Sequence, residues 1–517
     1  MGARRSRGVV LLLLAALIIF ALSNAGQAQK SENNFSPVIP RTWDEEALPS
    51  VELPLASTGV PPEHIPSDYY YRMPVRPIYK TYPIYAPGKE PRGYFERLKQ
   101  LEPESVFDPA KLKTEADWIK AGELVFDAPT GYDSDFGAVV TLADVRNPTW
   151  YEKIRVPLTK DGVMPSLRYV IRKKGTIEVG SFSCGMCHTR VMADGSVVKG
   201  AQGNFPLSRA IAFLIRNAPL PEQQRLQRQR DFNQLAYATP WLRPDPLAPI
   251  GQMSLEELAS LYDATPPGVM PRQGTSPLYP VQAPDLIGIR DRRYLDRTGL
   301  GRHRDIGDLM RYAALNQGGD DLSRNAGFRP VELLFGGRLP DPAMLDRHSD
   351  EQLYAAALYI YSLKPPRNPN TFDALAARGQ KVFEREGCGG CHTPPLYTNN
   401  KLTIAAGFKP PEDHFRKYDI LNVSVGTDPN LAMKTRRGTG YYKVPSLKGV
   451  WYRGPFEHNG SVATLEDWFE PRRLRDDYVP TGFKGDGVQT RAVKGHEFGL
   501  KLSVEDKRAL IAFLKTL

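Results

Sequence analysis

Two copies of one short pattern, C-x-x-C-H, constrain this chain more than any other feature of its sequence. They are Cys184-Gly185-Met186-Cys187-His188 and Cys388-Gly389-Gly390-Cys391-His392, and they contain all four cysteines of the chain. Two thiols three residues apart on one turn can add to the two vinyl groups of one porphyrin, and the next residue, histidine, then ligates the iron. The motifs therefore predict two covalently bound haem c groups, attached at the four cysteines and ligated by the two histidines.

Other uses of paired cysteines fit the sequence less well. A zinc site needs four ligands close together, whereas the two pairs lie far apart in the chain, at 184–187 and 388–391. A thioredoxin-like redox pair would require a βαβ pattern that the neighbouring sequence lacks. With all four thiols bound to haem, a disulfide framework is excluded as well.

The N-terminal residues have the layout of a secretory signal. Arg4, Arg5 and Arg7 precede an apolar run over 9–22, which is too short to span a bilayer comfortably, and small residues follow up to Ala28. We expect residues 1–28 to be a signal peptide that is removed, which makes the mature protein periplasmic or secreted. An uncleaved anchor is the alternative, and membrane contact is expected only in that case.

Charge narrows the range of partners. The formal net charge is +10, from 68 basic and 58 acidic residues, but no run of lysine and arginine reaches five residues. We therefore expect no nucleic-acid partner. Hydrophobic residues make up 41% of the chain and charged residues 24%, which excludes a polytopic membrane protein.

The remaining sequence divides into an arm and two larger units. Residues 29–114 are rich in proline and tyrosine and predict an extended arm wrapped over the body, with a mobile linker as the alternative. Residues 115–364 and 370–517 each contain one motif, and each ends in a helix that starts at a serine cap, Ser349 or Ser503. A proline-rich linker lies between the two units.

The arrangement around the motifs predicts the fold class. In the second unit the segment 379–383 directly precedes the motif, whereas the similar segment 122–126 lies far before Cys184, so the first unit carries a large insertion. Strand-like runs around 154–156 and 169–171 fall in that insertion. We predict a mainly α fold with two cytochrome-c-like haem domains in tandem, the first enlarged, and a Pro/Tyr-rich N-terminal arm.

These features resemble one bacterial family. Two c-type motifs in tandem, the enlarged first domain and the segments 443–447 and 455–466 are similar to the di-haem cytochrome c peroxidase superfamily. That superfamily includes the tryptophan-modifying di-haem enzyme of methylamine metabolism and the rubber oxygenases, and the arm is most similar to the rubber-oxygenase-like branch. The resemblance covers residues 115–517. It implies a peroxidase-like oxidoreductase that binds peroxide or dioxygen at the first haem and relays electrons through the second.

The sixth ligand of each iron decides its role, because an iron with two strong protein ligands moves electrons and an iron with an open position binds an oxidant. In typical family members a methionine ligates the second iron, but Arg472 stands at that position and cannot ligate. We expect His496 to replace it. His458, Met433 and an iron without a sixth ligand are the alternatives.

The first iron is expected to be open or water-bound. Typical peroxidases have a displaceable histidine soon after the first motif, and no histidine lies soon after His188 here. Ligation by His303 or Met310 is the alternative. Family members have a tryptophan between the haems, and Tyr294 stands there in this chain, either as an electron relay or as a packed side chain.

No catalytic side chain is assigned from the sequence. Cleavage of peroxide needs a polar acid–base group near the open iron. Four residues of one predicted loop are candidates, but residues of these types more often belong to an ordinary turn: Asn316, Gln317, Asp320 and Asp321.

Three functions remain open. The first is a peroxidase-like enzyme that takes electrons from a donor protein or an organic substrate. The second is a haem-dependent oxygenase acting on an unsaturated or aromatic organic substrate. The third is a non-catalytic electron-transfer cytochrome. The resemblance also leaves open a calcium ion between the domains, as in some relatives.

Overall fold

The computed structural model describes residues 35–135 and 137–517. Helix accounts for 35% and strand for 12% of the structure, so helical residues outnumber strand residues. The predicted signal peptide, residues 1–28, lies outside the described residues. Within the described part, we find no helix with the length and apolar character needed to cross a bilayer.

The α-helices of the described residues follow in chain order. They are α1 Ser67–Arg72, α2 Tyr94–Lys99, α3 Glu115–Asp127, α4 Leu142–Val145, α5 Pro148–Ile154, α6 Cys184–Cys187, α7 Leu207–Asn217, α8 Glu222–Tyr237, α9 Ala248–Gln252, α10 Leu255–Asp263, α11 Ile306–Ala314, α12 Asp320–Leu322, α13 Asp350–Ser362, α14 Ala374–Arg385, α15 His414–Lys417, α16 Asn430–Met433, α17 Leu465–Trp468 and α18 Val504–Lys515. A π-helical turn over Leu315–Gly319 joins α11 to α12.

The strands form small sheets around the helices. They are β1 Thr81–Tyr85, β2 Gly131–Tyr132, β3 Val163–Lys173, β4 Thr176–Ser181, β5 Thr189–Val191, β6 Val197–Lys199, β7 Val269–Met270, β8 Val281–Gln282, β9 Leu402–Ile404, β10 Ile420–Leu421 and β11 Tyr441–Lys443. The four-stranded sheet has the order β1-β3-β4-β2, and the three-stranded sheet has the order β10-β9-β11. Two hairpins, β5-β6 and β7-β8, complete the set found in the described residues.

Each motif-bearing unit is built on one pair of crossing helices. α3 packs on α13 in the first unit, and α14 packs on α18 in the second. A Cβ atom at Gly122 would lie 1.9 Å from the carbonyl oxygen of Ala355, and one at Gly379 would lie 1.9 Å from that of Ala509. Only glycine permits so close an approach of two backbones. The two units therefore repeat the same helix crossing.

Serine residues start both closing helices, as the sequence predicts. Ser349 Oγ accepts a hydrogen bond from the amide of Gln352 at 3.2 Å, and the Gln352 side chain accepts one from the Ser349 amide at 2.9 Å. Ser503 Oγ accepts from the amide of Asp506 at 3.1 Å. These caps satisfy amides that the first helical turn leaves unpaired.

The four-stranded sheet accounts for the insertion in the first unit. β3 contains the predicted strand 169–171, but the predicted strand at 154–156 is wrong: Ile154 ends α5, and Arg155 follows with a left-handed φ of 57°. Three apolar residues are too few to distinguish a strand from the end of a helix. β4 ends at Ser181, so the sheet sets the point at which the first motif begins.

The described part of the arm packs against both units. Trp43, Leu53, Leu55 and Ile78 are at most 1% exposed, and Leu53 clusters with Tyr294 of the first unit and with Leu402 and Tyr441 of the second. β1 pairs with β3 in antiparallel fashion, and α1 and α2 interrupt the extended path. Trp43, Tyr69 and Tyr70 therefore bury their rings in the body of the protein, and the other tyrosines of this segment are half-buried.

A buried polar interface joins the two units. Arg437 of the second unit lies 3.2 Å from the Asp320 carboxylate of the first, and Tyr452 donates a hydrogen bond to Asp285 at 3.0 Å. Residues 363–373, which connect the units, form neither helix nor strand.

Candidate haem-binding sites

The second motif opens onto a large apolar cavity. The cavity has a volume of about 1480 Å³, part of it open to solvent, and Cys388, Cys391 and His392 line it. Its apolar walls come from several elements: Phe383, Val425, Val444, Leu447, Val450, Leu465, Phe469, Leu510 and Leu514. Thiols and an imidazole at the wall of such a cavity are the groups that a haem c requires.

His496 faces His392 across this cavity. The centroids of the two imidazole rings are 6.2 Å apart. Two imidazoles bound to one metal ion, each at about 2.0–2.1 Å, would hold their ring centroids roughly 6 Å apart. The spacing thus leaves room for one iron atom between the rings, and ligation by His496 stays a prediction.

The imidazole rings of His392 and His496 are both in the protonation state that binds a metal. Burial lowers the pKa of His392 to about 4 and also lowers the pKa of His496, so both imidazoles are neutral at pH 7. Neutral imidazole is the form that ligates a metal. His496 Nδ1 is buried and has no hydrogen-bond partner among the described residues, whereas buried ring nitrogens ordinarily have one. These residues fit a haem c.

The other predicted ligands of the second iron are placed differently from His496. His458 also lines the cavity; its ring stacks on Tyr442 with a centroid distance of 4.4 Å, and its Nδ1 lies 2.9 Å from the Glu457 carboxylate, so only its Nε2 is left for a metal. Met433 ends α16 and is not among the described residues that line the cavity. Arg472 is exposed.

The first motif lies beside a smaller cavity of the same design. Cys184 lines a space of about 400 Å³, with Ala356 and Ile360 of α13 in its wall. Ala356 and Ile360 follow the crossing residue Ala355 at the same spacings at which the wall residues Leu510 and Leu514 of the second unit follow the crossing residue Ala509. The repeated helix pair therefore supplies equivalent walls to both motifs.

His188 is oriented by the backbone. Its Nδ1 lies 2.9 Å from the carbonyl oxygen of Pro284, and burial lowers its pKa to about 4. A neutral ring that donates from Nδ1 leaves Nε2 free for a metal. Across residues 35–135 and 137–517 no histidine ring stands opposite His188 as His496 stands opposite His392.

The two alternative ligands of the first iron have other roles. His303 uses both ring nitrogens, with Nδ1 2.7 Å from the Arg292 carbonyl oxygen and Nε2 2.6 Å from the Tyr361 hydroxyl. Met310 is fully buried in the hydrophobic core of the first unit.

Two polar side chains lie beside the first motif. Gln317 Nε2 is 3.8 Å from Cys184 Sγ, and Gln317 sits in the π-helical turn with non-helical backbone angles. π-helical turns occur often at functional sites. His348 lines the same cavity as Cys184, and burial lowers its pKa to about 3. Sequence reasoning interprets His348 as part of a helix cap, and no local pattern indicates that it reaches this cavity.

The other polar candidates bind the second unit. Asn316 Oδ1 accepts from Arg437 at 3.2 Å, and Asp320 pairs with the same guanidinium. Asp321 has its pKa raised to about 7, mainly by burial. The importance of Arg437 is not evident from the sequence, because its partners lie more than a hundred residues away.

Tyr294 lies between the two units. It is 4% exposed, and its hydroxyl oxygen accepts a hydrogen bond from the Asp419 amide at 3.3 Å. It lines a cavity together with Pro284 of the first unit and Pro445 of the second. This position suits both a relay and a packed side chain.

Comparison with known proteins finds distant relatives. No protein-family model matches the chain. Cytochrome-c peroxidase IdrP1 of Pseudomonas sp. (strain SCT) is 27% identical over 168 residues, which cover 29% of this chain and 41% of the relative. The chain is thus similar in sequence to a cytochrome-c peroxidase. The uncharacterized protein y4iJ of Sinorhizobium fredii is 26% identical over 256 residues, covering 30% of this chain and 41% of the relative. The chain spans about two fifths of the length of these curated relatives.

Solved structures show only slight likeness. A MauG-like protein associated with microbial copper homeostasis is 18% identical, with 32% of this chain and 56% of that chain covered and a TM-score of 0.21. Hydrazine synthase of Kuenenia stuttgartiensis is 16% identical, with 60% of this chain and 92% of that chain covered and a TM-score of 0.27. TM-scores this low carry no argument about the fold.

Proposed function

We propose that this chain is an exported di-haem c-type oxidoreductase of the peroxidase type. A small oxidant, peroxide or dioxygen, is bound at the first motif, and the second motif relays electrons. The observation that carries the proposal is the difference between the two sites: His392 has an opposing imidazole at 6.2 Å, and His188 has none among the described residues.

The side chains around the two motifs suit different roles. Haem c, when bound, supplies an iron that changes between the ferric and ferrous states and binds a small oxidant where a coordination position is free. Cys388 and Cys391 would tether one such group, and His392 and His496 would be its ligands, which suits electron transfer and leaves no free position for an oxidant.

The first site lacks an opposing imidazole among the described residues, which is the basis for proposing it as the site of the oxidant. Cys184 and Cys187 would tether the other haem c. The Pro284 carbonyl holds the proximal imidazole of His188 in one orientation. Gln317 and His348 are polar side chains next to this motif, and the Gln317 amide is suited to hydrogen-bond a small oxidant. Tyr294 lies between the units, where a redox-active phenol would shorten the distance that an electron has to cross.

The sequence similarity to a cytochrome-c peroxidase favours peroxide as the oxidant. The electron source is a donor protein or an organic substrate. An oxygenase would use the same open site with dioxygen, so activity measurements have to separate the two.

Spectroscopy of the purified protein tests the proposal. We expect electron paramagnetic resonance of the oxidised protein to show one high-spin, cyanide-sensitive haem and one low-spin haem. His496→Ala should convert the low-spin signal to a ligand-sensitive one, and His458→Ala should leave it low-spin. Two low-spin haems insensitive to cyanide and carbon monoxide would instead indicate an electron carrier.

Turnover assays then identify the reaction. We expect peroxide reduction with a reduced cytochrome as donor. Oxygen uptake with a polyene, without peroxide reduction, would assign the chain to the oxygenases.

A further inference from the structure

A polar cavity of about 390 Å³ lies between the two units. It shares Arg297, Lys443 and Arg453 with the large cavity of the second motif. On its other side it is lined by Pro284, whose carbonyl oxygen contacts His188. It therefore touches both candidate haem sites.

The lining of this cavity has an excess of positive charge. Its basic residues are Arg292, Arg297, Lys401, Lys443 and Arg453. Asp285 is the acidic residue of the lining, and its carboxylate already accepts hydrogen bonds from the Tyr452 hydroxyl at 3.0 Å and the Ile287 amide at 3.1 Å. Several buried cations around one carboxylate repel each other unless further anions join them.

Some of the donors in this cluster have no acceptor. The Arg453 side chain is 8% exposed and lies 3.9 Å from Asp285. Its Nε and the Nε of Arg297 are buried without a hydrogen-bond partner among the described residues. Burial, together with the neighbouring Arg453 and Arg292, lowers the pKa of Arg297 to about 9.

Two other carboxylates act on this cluster. Asp296 lies 3.8 Å from Arg437 and Glu457 pairs with His458 at 2.9 Å, and one oxygen of each is buried without a hydrogen-bond partner among the described residues. Lys443 Nζ donates to the carbonyl oxygens of Tyr294 and Leu295, at 3.0 and 2.9 Å, which are neutral acceptors, and burial together with Arg297 and Arg292 lowers the pKa of Lys443. The Nε donors of Arg297 and Arg453 therefore keep no acceptor among the described residues.

We propose that the cavity is an anion site for the propionate carboxylates of haem, and that Arg297, Lys443 and Arg453 bind them. A porphyrin has an apolar body and two carboxylates on one edge. The second cavity has mostly apolar walls, and Arg297, Lys443 and Arg453 are the cations of its lining, so the carboxylate edge matches the end at which they lie. Charge-assisted hydrogen bonds from arginine and lysine to carboxylates are strong. This inference rests on the proposed haem binding.

The charge of the lining also bears on calcium. Calcium takes six to eight oxygen ligands, which include carboxylates, backbone and amide carbonyls and waters. Among the described residues, no cluster of three or more acidic, histidine or cysteine side chains could hold a metal. A calcium ion in this cavity would face Arg297, Lys443 and Arg453, so we expect the redox properties not to depend on calcium.

Two variants and one chelation experiment test the inference on the haem-loaded protein. Arg297→Gln removes a cation of the cluster. Arg293→Gln is the matched control, because Arg293 is exposed and pairs with Asp419 outside the cavity. Resonance Raman spectra report the propionate bending modes, and spectroelectrochemistry reports the reduction potentials. Elemental analysis before and after chelation reports calcium.

We expect Arg297→Gln to shift the propionate modes and to lower the potential of the low-spin haem, since a nearby cation disfavours the ferric state. Arg293→Gln should leave both unchanged, and chelation should change neither spectra nor potentials. Arg453→Gln gives the same test if Arg297→Gln does not fold.

Three results would overturn the inference while the intact mass still shows two haems. These are unchanged Raman modes in a folded Arg297→Gln or Arg453→Gln protein, a stoichiometric calcium ion whose removal shifts the potentials, or a saturable spectral response to added acetate, which would mark a site for a free anion. A mass without haem would instead overturn the proposed function itself.

Discussion

At the residue scale, Arg473 positions the histidine proposed as the second iron's ligand. This side chain is 1% exposed. Its guanidinium donates to four carbonyl oxygens: Trp468 at 3.0 Å, Val493 at 2.6 Å, and Gly495 and His496 at 2.9 Å each. One arginine thus ties the loop that carries His496 to the end of α17.

Replacing this arginine should release the loop. We expect Arg473→Gln to cost about 2–3 kcal/mol of unfolding free energy, because several buried carbonyls lose a charged donor. The low-spin signal of the second haem should become partly high-spin. Arg472→Gln, at the exposed neighbouring position, is the control and should change neither the denaturation curve nor the spectrum. A low-spin spectrum kept in Arg473→Gln would contradict this role.

Asp321 shows how burial changes the titration of one side chain. Burial raises its pKa to about 7, with Asp320 adding to the rise and Arg436 and Arg437 opposing it. In the unfolded chain an aspartate ionises near pH ~3.9. Between about pH 4 and 7 the folded state therefore holds a proton that the unfolded state has lost, and stability falls as the pH rises through this window.

Removing the Asp321 carboxyl group should prevent this loss of stability at high pH. Asp321→Asn is expected to raise the unfolding free energy at pH 8 by about 2–4 kcal/mol and to change it little at pH 4. Urea denaturation at the two pH values measures the difference. Asp161→Asn, at an exposed turn, serves as the control. An equal effect of Asp321→Asn at both pH values would show that the carboxyl is not protonated in the folded protein.

At the scale of elements, the repeated helix crossing is the unit from which both halves are built. The ring of Phe126 lies edge-on to that of Tyr359 at 5.3 Å, and Phe383 lies edge-on to Phe513 at 5.4 Å. The same glycine-to-phenylalanine spacing on α3 and α14 thus produces the same contacts. Local sequence is sufficient to predict these helices and their caps, because caps and apolar periodicity act within a few turns.

A methyl group at the crossing should separate the helices. Gly379→Ala places a Cβ 1.9 Å from the Ala509 carbonyl oxygen, so the backbones have to move apart. We expect a loss of about 2–4 kcal/mol in chemical denaturation. Gly251→Ala is the control, since no atom lies within 4 Å of its Cβ position and alanine favours helix. Equal unfolding free energies of the two variants would show that the backbones of α14 and α18 do not approach so closely at Gly379.

At the scale of the whole molecule, buried arginines of the second unit hold the first. Arg436 donates to the carbonyl oxygens of Leu235, Ala236 and Ala238, the shortest contact being 2.7 Å to Ala236. These carbonyls end α8, where the helix dipole favours a cation. The relative position of the two motifs therefore depends on contacts between segments about two hundred residues apart.

Loss of the Arg436 contacts should weaken the packing of the second unit against the end of α8. Arg436→Leu is expected to cost about 2–4 kcal/mol, because three buried carbonyls lose a charged donor. Amide hydrogen exchange at 235–239 should become faster. Arg416→Leu, at an exposed position of the second unit, is the control and should leave exchange at 235–239 unchanged. Unaltered exchange in Arg436→Leu would mean that the units dock without it.

The sequence by itself determined what depends on neighbours in the chain: the two C-x-x-C-H turns, the helices before and after them, and the serine caps. It favoured His496 over several alternatives without placing it near His392, and it left the position of His348 and the charge of the interface undetected. Those features depend on which distant segments meet, and that is decided by packing of the whole chain. The tertiary structure alone brought His496 to face His392 and gathered Arg297, Lys443 and Arg453 around one cavity.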